Sequence, residues 1–76
     1  MAAADIEALI RAALPDARIE VRDLAGDNDH YAATVVSAAF AGLPRVRQHQ
    51  LVYKALGGRM GGELHALQLT TAAPQE

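Results

Sequence analysis

The hydrophobic residues near the N-terminus recur with helical spacing. Ile6, Leu9, Ile10 and Ala13 follow one another at intervals of three, one and three residues, which places them on one face of an α-helix. Pro15 ends the run, because proline disfavours a helical conformation at the residue before it. The pattern therefore predicts a first helix that packs on a sheet.

Two strand patterns follow this helix. Residues 18–24 alternate between polar and apolar positions, with Ile19 and Val21 facing inward, as is typical of a half-exposed strand. The polar residues 25–30 form a turn of the kind that joins hairpin strands. Tyr31–Ser37 is almost entirely apolar, which favours a central strand.

A second helix and a third strand complete the pattern. The helix is predicted from about Pro44 to Leu56, with proline at the first helical position, where its fixed φ is favourable. Gly57 and Gly58 are a helix-stop signal, and Leu64–Thr70 reads as the last strand. A strand–helix–strand connection of this length predicts parallel neighbours joined by a right-handed crossover. We therefore expect an α/β (α+β) fold of order α-β-β-α-β, with both helices on one face of a three-stranded mixed sheet.

This topology has a consequence for two histidines. Parallel neighbours begin at the same end of a sheet, so His30, just before the second strand, is expected near His65, the second residue of the third. Two imidazoles at one rim form a candidate metal site. The alternative for His65 is a packing role, because it alternates onto the same face as Leu67 and Leu69. The alternative for His30 is a turn residue exposed to water.

Composition limits the classes of protein that remain. The 76 residues form one domain, and we expect a core over about residues 4–71 and a flexible tail at 72–76. The absence of cysteine excludes disulfides and thiolate metal sites supplied by this chain alone. Without a membrane span or a basic N-terminal signal we expect a soluble cytoplasmic protein. No nucleophile–base or carboxylate pair is recognisable, so we expect a binding protein and not an enzyme.

Charge is distributed unevenly along the chain. Residues 1–43 have a net charge of −4, whereas residues 44–62 have a net charge of +4 and no acid. The four bases are Arg45, Arg47, Lys54 and Arg59. A helical wheel places Arg47, Gln50 and Lys54 on one face together with Leu51. This stripe is either a solvated helix face or a contact for phosphate or an acidic partner surface.

The opposite arc of the second helix is apolar. The wheel groups Val46, Val52, Tyr53 and Leu56 there, with His49 among them. These neighbours favour a partly buried, hydrogen-bonded structural histidine over a metal ligand or catalytic base.

A short glycine motif follows this helix. Gly58-Arg59-Met60-Gly61 has the GxxG pattern that KH domains use to clamp a nucleic-acid backbone. In KH domains that loop joins two helices, whereas here it ends a helix before the last strand. The equivalent loop falls near residues 42–45, which lack the pattern.

Two segments of the chain closely resemble the BolA family. They are Phe40–Leu56, FAGLPRVRQHQLVYKAL, and His65–Thr71, HALQLTT. The acidic first helix and the loop at residues 26–31 are most similar to the short bacterial IbaG-type members. The resemblance covers about residues 4–72 and implies a single BolA-like domain with a class II KH-like fold. It also implies a heterodimer with a monothiol, CGFS-type glutaredoxin that shares a [2Fe–2S] cluster.

The resemblance assigns roles to individual positions. His65 matches the family histidine that is the principal cluster ligand, and His30 matches a loop position occupied by cysteine or histidine. His49 matches the histidine of an Arg-His pair, but Gln48 stands where arginine is common and Gln50 replaces another frequent base. These departures reduce the charge of the helix for which DNA contacts are proposed in the family.

His49 and the remaining motif residues, Phe40, Gly42 and Tyr53, are expected to be structural or to lie on the partner face. Because the chain has no cysteine, it cannot hold such a cluster alone. It can complete one whose other ligands are a partner's cysteine and glutathione. The alternative function is that of a KH-like nucleic-acid-binding transcriptional regulator. The isolated chain is expected to be a monomer or a weak homodimer with no membrane contact.

Overall fold

The computed structural model describes residues 2–26, 30–57 and 66–74. Its elements are α1 (Ala3–Ala13), β1 (Arg18–Asp23), β2 (His30–Val36), a 3₁₀-helix (Ala38–Phe40), α2 (Arg45–Leu56) and β3 (Ala66–Ala72). The sheet order is β1-β2-β3, with β1 antiparallel to β2 and β2 parallel to β3. The predicted element order and mixed sheet are confirmed. Within the described ranges, no helix is long and apolar enough to cross a membrane.

The core lies between the two helices and one face of the sheet. Its buried members come from α1 and the turn after it, from β2, from the 3₁₀-helix and from α2: Ile6, Ile10, Leu14, Ala17, Tyr31, Val35, Phe40, Val52 and Leu56. Each large side chain among them contributes roughly 1.5–3 kcal/mol by leaving water. Ile19, Val21, Leu67 and Leu69 pack partly buried against this core. On the other face of the sheet, Thr34 and Thr70 are exposed.

The apolar stripe of α1 ends one residue later than the pattern predicts. Ile6 and Ile10 are fully buried, but Ala13 is exposed and Leu14 is buried in its place. Leu14 follows the last helical residue, and its N–H donates to the Ile10 carbonyl at 2.8 Å. The chain leaves the helix before Pro15 and turns Leu14 inward, so helical spacing no longer applies there.

The start of α2 differs from the predicted one. Pro44 is the N-cap, with an extended ψ of 158°, and Arg45 is the first helical residue. The Pro44 carbonyl accepts hydrogen bonds from the N–H groups of Arg47 and Gln48 at 2.9 and 3.1 Å. The helix ends at Leu56, where Gly57 adopts a φ of +65°. The stop signal is confirmed at Gly57, because this φ is available to glycine without the steric cost that a Cβ would bring.

The predicted apolar arc of α2 is wrong for two of its five members. Val46 is 61% exposed and Tyr53 38% exposed, whereas Val52 and Leu56 are fully buried. Leu51, assigned to the polar side, packs partly buried against the core. The helix contacts both α1 and β3, so its buried side is turned toward Leu51. The hydrophobic pattern alone could not fix this rotation, because apolar residues surround most of the helix.

A 3₁₀-helix that the sequence did not predict follows β2. β2 ends at Val36, and Ser37, assigned to the strand, is instead the buried N-cap of this short helix. Its hydroxyl oxygen accepts from the Ala39 N–H at 3.1 Å, and its own N–H donates to the Ala72 carbonyl at 3.1 Å. The last contact explains why β3 extends to Ala72, two residues beyond its predicted end and into the expected tail.

Candidate functional site

His30 is the first residue of β2 and lies at the rim of the sheet. The sequence pattern had placed it just before this strand. Its side chain is exposed, and its carbonyl accepts a hydrogen bond from the Leu24 N–H at 2.8 Å. On the other side, His30 is the register partner of Ala66, the first described residue of β3. The backbone of His30 is thereby held between the hairpin turn and the parallel pair.

The turn before His30 is partly described. The Asp23 carboxylate accepts from the N–H groups of Ala25 and Gly26 at 3.2 and 2.8 Å, and Gly26 has a φ of +70°. An aspartate that bonds the backbone two and three residues ahead is a common turn former. Residues 27–29 lie outside the described residues.

The other predicted cluster ligand, His65, also lies outside the described residues, as do Arg59 and the GxxG tetrapeptide. The expected meeting of the two histidines therefore stays a prediction. Among residues 2–26, 30–57 and 66–74, no three His, Cys, Asp or Glu side chains lie close enough together to hold a metal ion.

His49 lies on α2 beside the outer strand β3. Its ring meets the Tyr53 ring edge to face, with centroids 6.4 Å apart and an angle of 88°. The side chain is partly buried, as predicted. The expectation of a hydrogen-bonded ring is wrong at one nitrogen, because Nε2 is buried and has no partner among the described residues. The sequence predicted the apolar surroundings of His49. Whether its Nε2 atom finds a hydrogen-bond partner depends on tertiary packing.

Gln48, next to it, connects three parts of the fold. Its side-chain N–H donates to the Leu43 carbonyl at 2.8 Å, and its side-chain oxygen accepts from the Thr71 hydroxyl at 2.6 Å. The loop before α2, the helix and β3 are thus joined by one side chain. An amide can do this because it both donates and accepts, which arginine cannot. Sequence analysis missed this role.

The residues assigned to nucleic-acid or partner binding lie on the solvent side of α2. Arg45, Arg47, Gln50 and Lys54 are all exposed. A groove of about 350 Å³ follows one flank of the helix, lined by Leu43, Arg47, Gln50, Leu51 and Lys54. A second groove of about 470 Å³ is lined by Arg45, Val46, His49, Gln50 and Tyr53. The outer surface of α2 therefore combines cationic side chains with exposed apolar ones.

Two further motif residues lie in the approach to α2. Phe40 is fully buried in the core. Gly42 is exposed, with a φ of +76°, and a Cβ there would meet no atom within 4 Å. Phe40 therefore anchors the loop, and Gly42 gives it a conformation that other residues rarely adopt.

Comparisons with known sequences identify relatives over nearly the whole chain. The family model described as BolA-like protein matches residues 10–76. The uncharacterized protein RP812 of Rickettsia prowazekii is 35% identical over 71 residues, which cover 93% of this chain and 92% of that protein. The DNA-binding transcriptional regulator BolA of Vibrio cholerae is 41% identical over 51 residues, but these span only 67% of this chain and 48% of the regulator.

Solved structures agree with this assignment. A bolA protein homologue from Coxiella burnetii superposes with a TM-score of 0.81 at 35% identity, covering 97% of this chain and 92% of the homologue. The BolA domain of SufE1 from Arabidopsis thaliana gives a TM-score of 0.81 at 30% identity, with 93% and 90% covered. The chain belongs to the BolA-like protein family.

Proposed function

We propose that this protein is an adaptor in iron–sulfur cluster trafficking or assembly. It binds a monothiol, CGFS-type glutaredoxin as a heterodimer and contributes His65 and His30 to a [2Fe–2S] cluster that the two proteins share with glutathione. The observation that carries this proposal is the pairing of His30 with Ala66, the residue that directly follows His65 in the sequence.

The donor chemistry supports the same proposal. Imidazole can replace thiolate on iron in a [2Fe–2S] cluster, and His30 presents an exposed imidazole at the rim of the sheet. The chain has no cysteine, so the thiolate ligands would come from the glutaredoxin and glutathione. An exposed ligand at a rim is accessible to a cluster that a second protein carries.

The test combines the protein with a CGFS-type glutaredoxin, ferrous iron, sulfide and glutathione under anaerobic conditions. We expect a heterodimer whose visible absorption and circular dichroism differ from those of the glutaredoxin homodimer. His65→Ala should abolish that difference, and His30→Ala should weaken it. Arg18→Gln changes an exposed side chain of β1 that pairs with Val36, at the far end of the sheet from His30, and serves as the control, with no change expected. A spectrum insensitive to His65→Ala would contradict the proposal.

A second candidate is nucleic-acid binding by a KH-like transcriptional regulator. The observation that favours it is the exposed pair of bases Arg47 and Lys54 on α2, together with the name of the Vibrio cholerae relative. Two phosphate contacts predict a weak, salt-dependent affinity for DNA or RNA. Charge reversal at both residues should remove binding in a filter or anisotropy assay. Binding that is unaffected by this double charge reversal would show that α2 is not the nucleic-acid-binding element.

A further inference from the structure

Within residues 66–72, the strand β3 carries none of the sequence features that normally protect an exposed edge. β3 is the last strand of the sheet, and its seven residues, ALQLTTA, include no charge and no proline. Its register with β2 continues without a bulge from Ala66 to Ala72. At the other edge, four of the six residues of β1 are charged. Because unpaired backbone groups template further pairing unless charge, proline or a bulge prevents it, β3 is the edge that can accept another strand.

A groove of about 350 Å³ opens on this edge. Its lining consists of Arg45, His49, Leu69, Thr70 and Thr71. Leu69 and Thr71 are half-buried on the helix side of the sheet, whereas Thr70 is exposed on the opposite face. Since consecutive strand residues point to opposite faces, a groove lined by all three extends beyond the helix-side side chains to the backbone of β3 or to its opposite face.

Two side chains in the groove have no polar partner within the described residues. The Nε2 atom of His49 is buried and makes no hydrogen bond. Arg45 is exposed, and the one ion pair among the described residues, Arg11–Glu7, does not involve it. A carboxylate suits both, because it forms charge-assisted bonds with guanidinium and accepts from an imidazole N–H. Because Nε2 is buried in the free protein, the bound segment would have to reorient the His49 ring for that bond to form.

We propose that the groove between α2 and the outer edge of β3 binds an extended segment of a partner protein. The segment adds a strand to β3 and directs one Asp or Glu side chain to Arg45 and His49. Main-chain hydrogen bonds along β3 provide affinity, and the carboxylate fixes the register of the segment.

This groove is separate from the rim of the sheet at His30, where the iron–sulfur cluster is proposed to bind. Thr70 pairs with Thr34, four residues along β2 from His30, a distance of roughly 13 Å at the usual strand rise. The proposal therefore does not depend on iron–sulfur binding, and either one can fail without the other. The uncharged edge favours a peptide over a nucleic acid, whose phosphates would need cations along the whole strand.

The test is a selection of random seven-residue peptides, displayed on phage, against the purified full chain. We expect a consensus without proline and with Asp or Glu at one fixed position. The synthesised consensus peptide should bind about tenfold more weakly to Arg45→Glu, since a charge-assisted bond is lost and a like charge introduced. His49→Phe should also weaken binding. Arg47→Glu changes a cation on the same helix outside this groove and should leave the Kd within about twofold.

Backbone methylation distinguishes strand addition from other modes of binding. N-methylation of successive peptide amides should weaken binding at every second position, because only alternate N–H groups of an added strand face β3. Circular dichroism checks that each variant is folded. The proposal is overturned by a selection without a consensus, by equal losses in Arg45→Glu and Arg47→Glu, or by methylation effects that do not alternate. Displacement of the peptide by a single-stranded oligonucleotide would instead assign the groove to nucleic acid and overturn it too.

Discussion

The hydroxyl of Ser37 donates to the carboxylate of Asp16, at 3.0 Å from Oδ1, across 21 positions of sequence. The same carboxylate accepts the Ala38 N–H at 2.9 Å. The turn after α1 is thereby joined to the 3₁₀-helix after β2. The pKa of Asp16 is held below its ordinary value of 3.8, first by the backbone N–H of Ala38 and then by the Ser37 hydroxyl, because both bonds favour the ionised form.

This contact predicts a specific pH dependence of stability. A carboxyl whose pKa is lower in the folded state stabilises the fold above its unfolded pKa, and that stabilisation is lost as pH falls through the folded pKa. Asp16→Asn should therefore be less stable than the wild type near neutral pH. The difference in unfolding free energy between the two proteins should narrow only below pH 3.8, the ordinary pKa of Asp16. Urea unfolding of both proteins across this range measures this difference, and a difference that does not change with pH would contradict the prediction.

The sequence predicted the fold well because the signals for its elements are local. Helical spacing around Ile6 and Ile10, alternation at Ile19 and Val21, and the glycine after Leu56 each act within a few residues. These signals, with the length of the crossover, are sufficient for the order and direction of the three strands.

The sequence did not predict contacts that depend on tertiary packing. The bond between Ser37 and Asp16 joins residues with no shared motif. The exposure of Val46 and Tyr53 depends on how α2 rotates between α1 and β3. The unpaired nitrogen of His49 depends on the same packing. His30 at the rim of the sheet was predictable because a parallel strand pair places strand starts together.

Gln48 and Thr71 should be energetically coupled through the hydrogen bond between their side chains. Gln48→Ala removes the acceptor of the 2.6 Å bond, and Thr71→Val removes its donor while keeping the side-chain shape. We expect Thr71→Val to lose about 1 kcal/mol of unfolding free energy, and Gln48→Ala to lose more because it also removes the bond to the Leu43 carbonyl. The double variant should lose about 1 kcal/mol less than the sum of the two single losses. Chemical denaturation of all four proteins completes this cycle.

Gln48→Arg provides a control for that cycle. Arginine has donors for the Leu43 carbonyl but no acceptor for the Thr71 hydroxyl. In a Gln48→Arg background, Thr71→Val should therefore cost much less than in the wild type. An equal cost in both backgrounds would show that Thr71 acts independently of residue 48.

Gly42 should resist substitution because of its backbone conformation alone. Its φ is +76°, and the space around an added Cβ is empty, so Gly42→Ala brings strain without a clash. We expect a loss of about 1 kcal/mol in unfolding free energy. Gly42→Asn should lose less, because asparagine tolerates positive φ better than alanine does. Equal losses for the two variants, measured by urea denaturation, would contradict a conformational cause.

His49→Phe should stabilise the isolated protein. The buried Nε2 atom has no hydrogen-bond partner in the described part of the chain, and such an atom costs roughly 1–3 kcal/mol. Phenylalanine removes that atom and preserves an aromatic edge against Tyr53. We expect a gain of about 1 kcal/mol in unfolding free energy.

Tyr53→Phe is the matched control for that variant, because it alters the same ring pair without removing a buried polar atom, and its effect should be close to zero. A less stable His49→Phe protein would show instead that the imidazole has a favourable interaction in solution. The decisive comparison is with peptide binding. If His49 serves to recognise a partner, His49→Phe should be more stable than the wild type and should bind the selected peptide more weakly. A buried polar group without a hydrogen bond costs stability, and such a cost is expected where the group has a function.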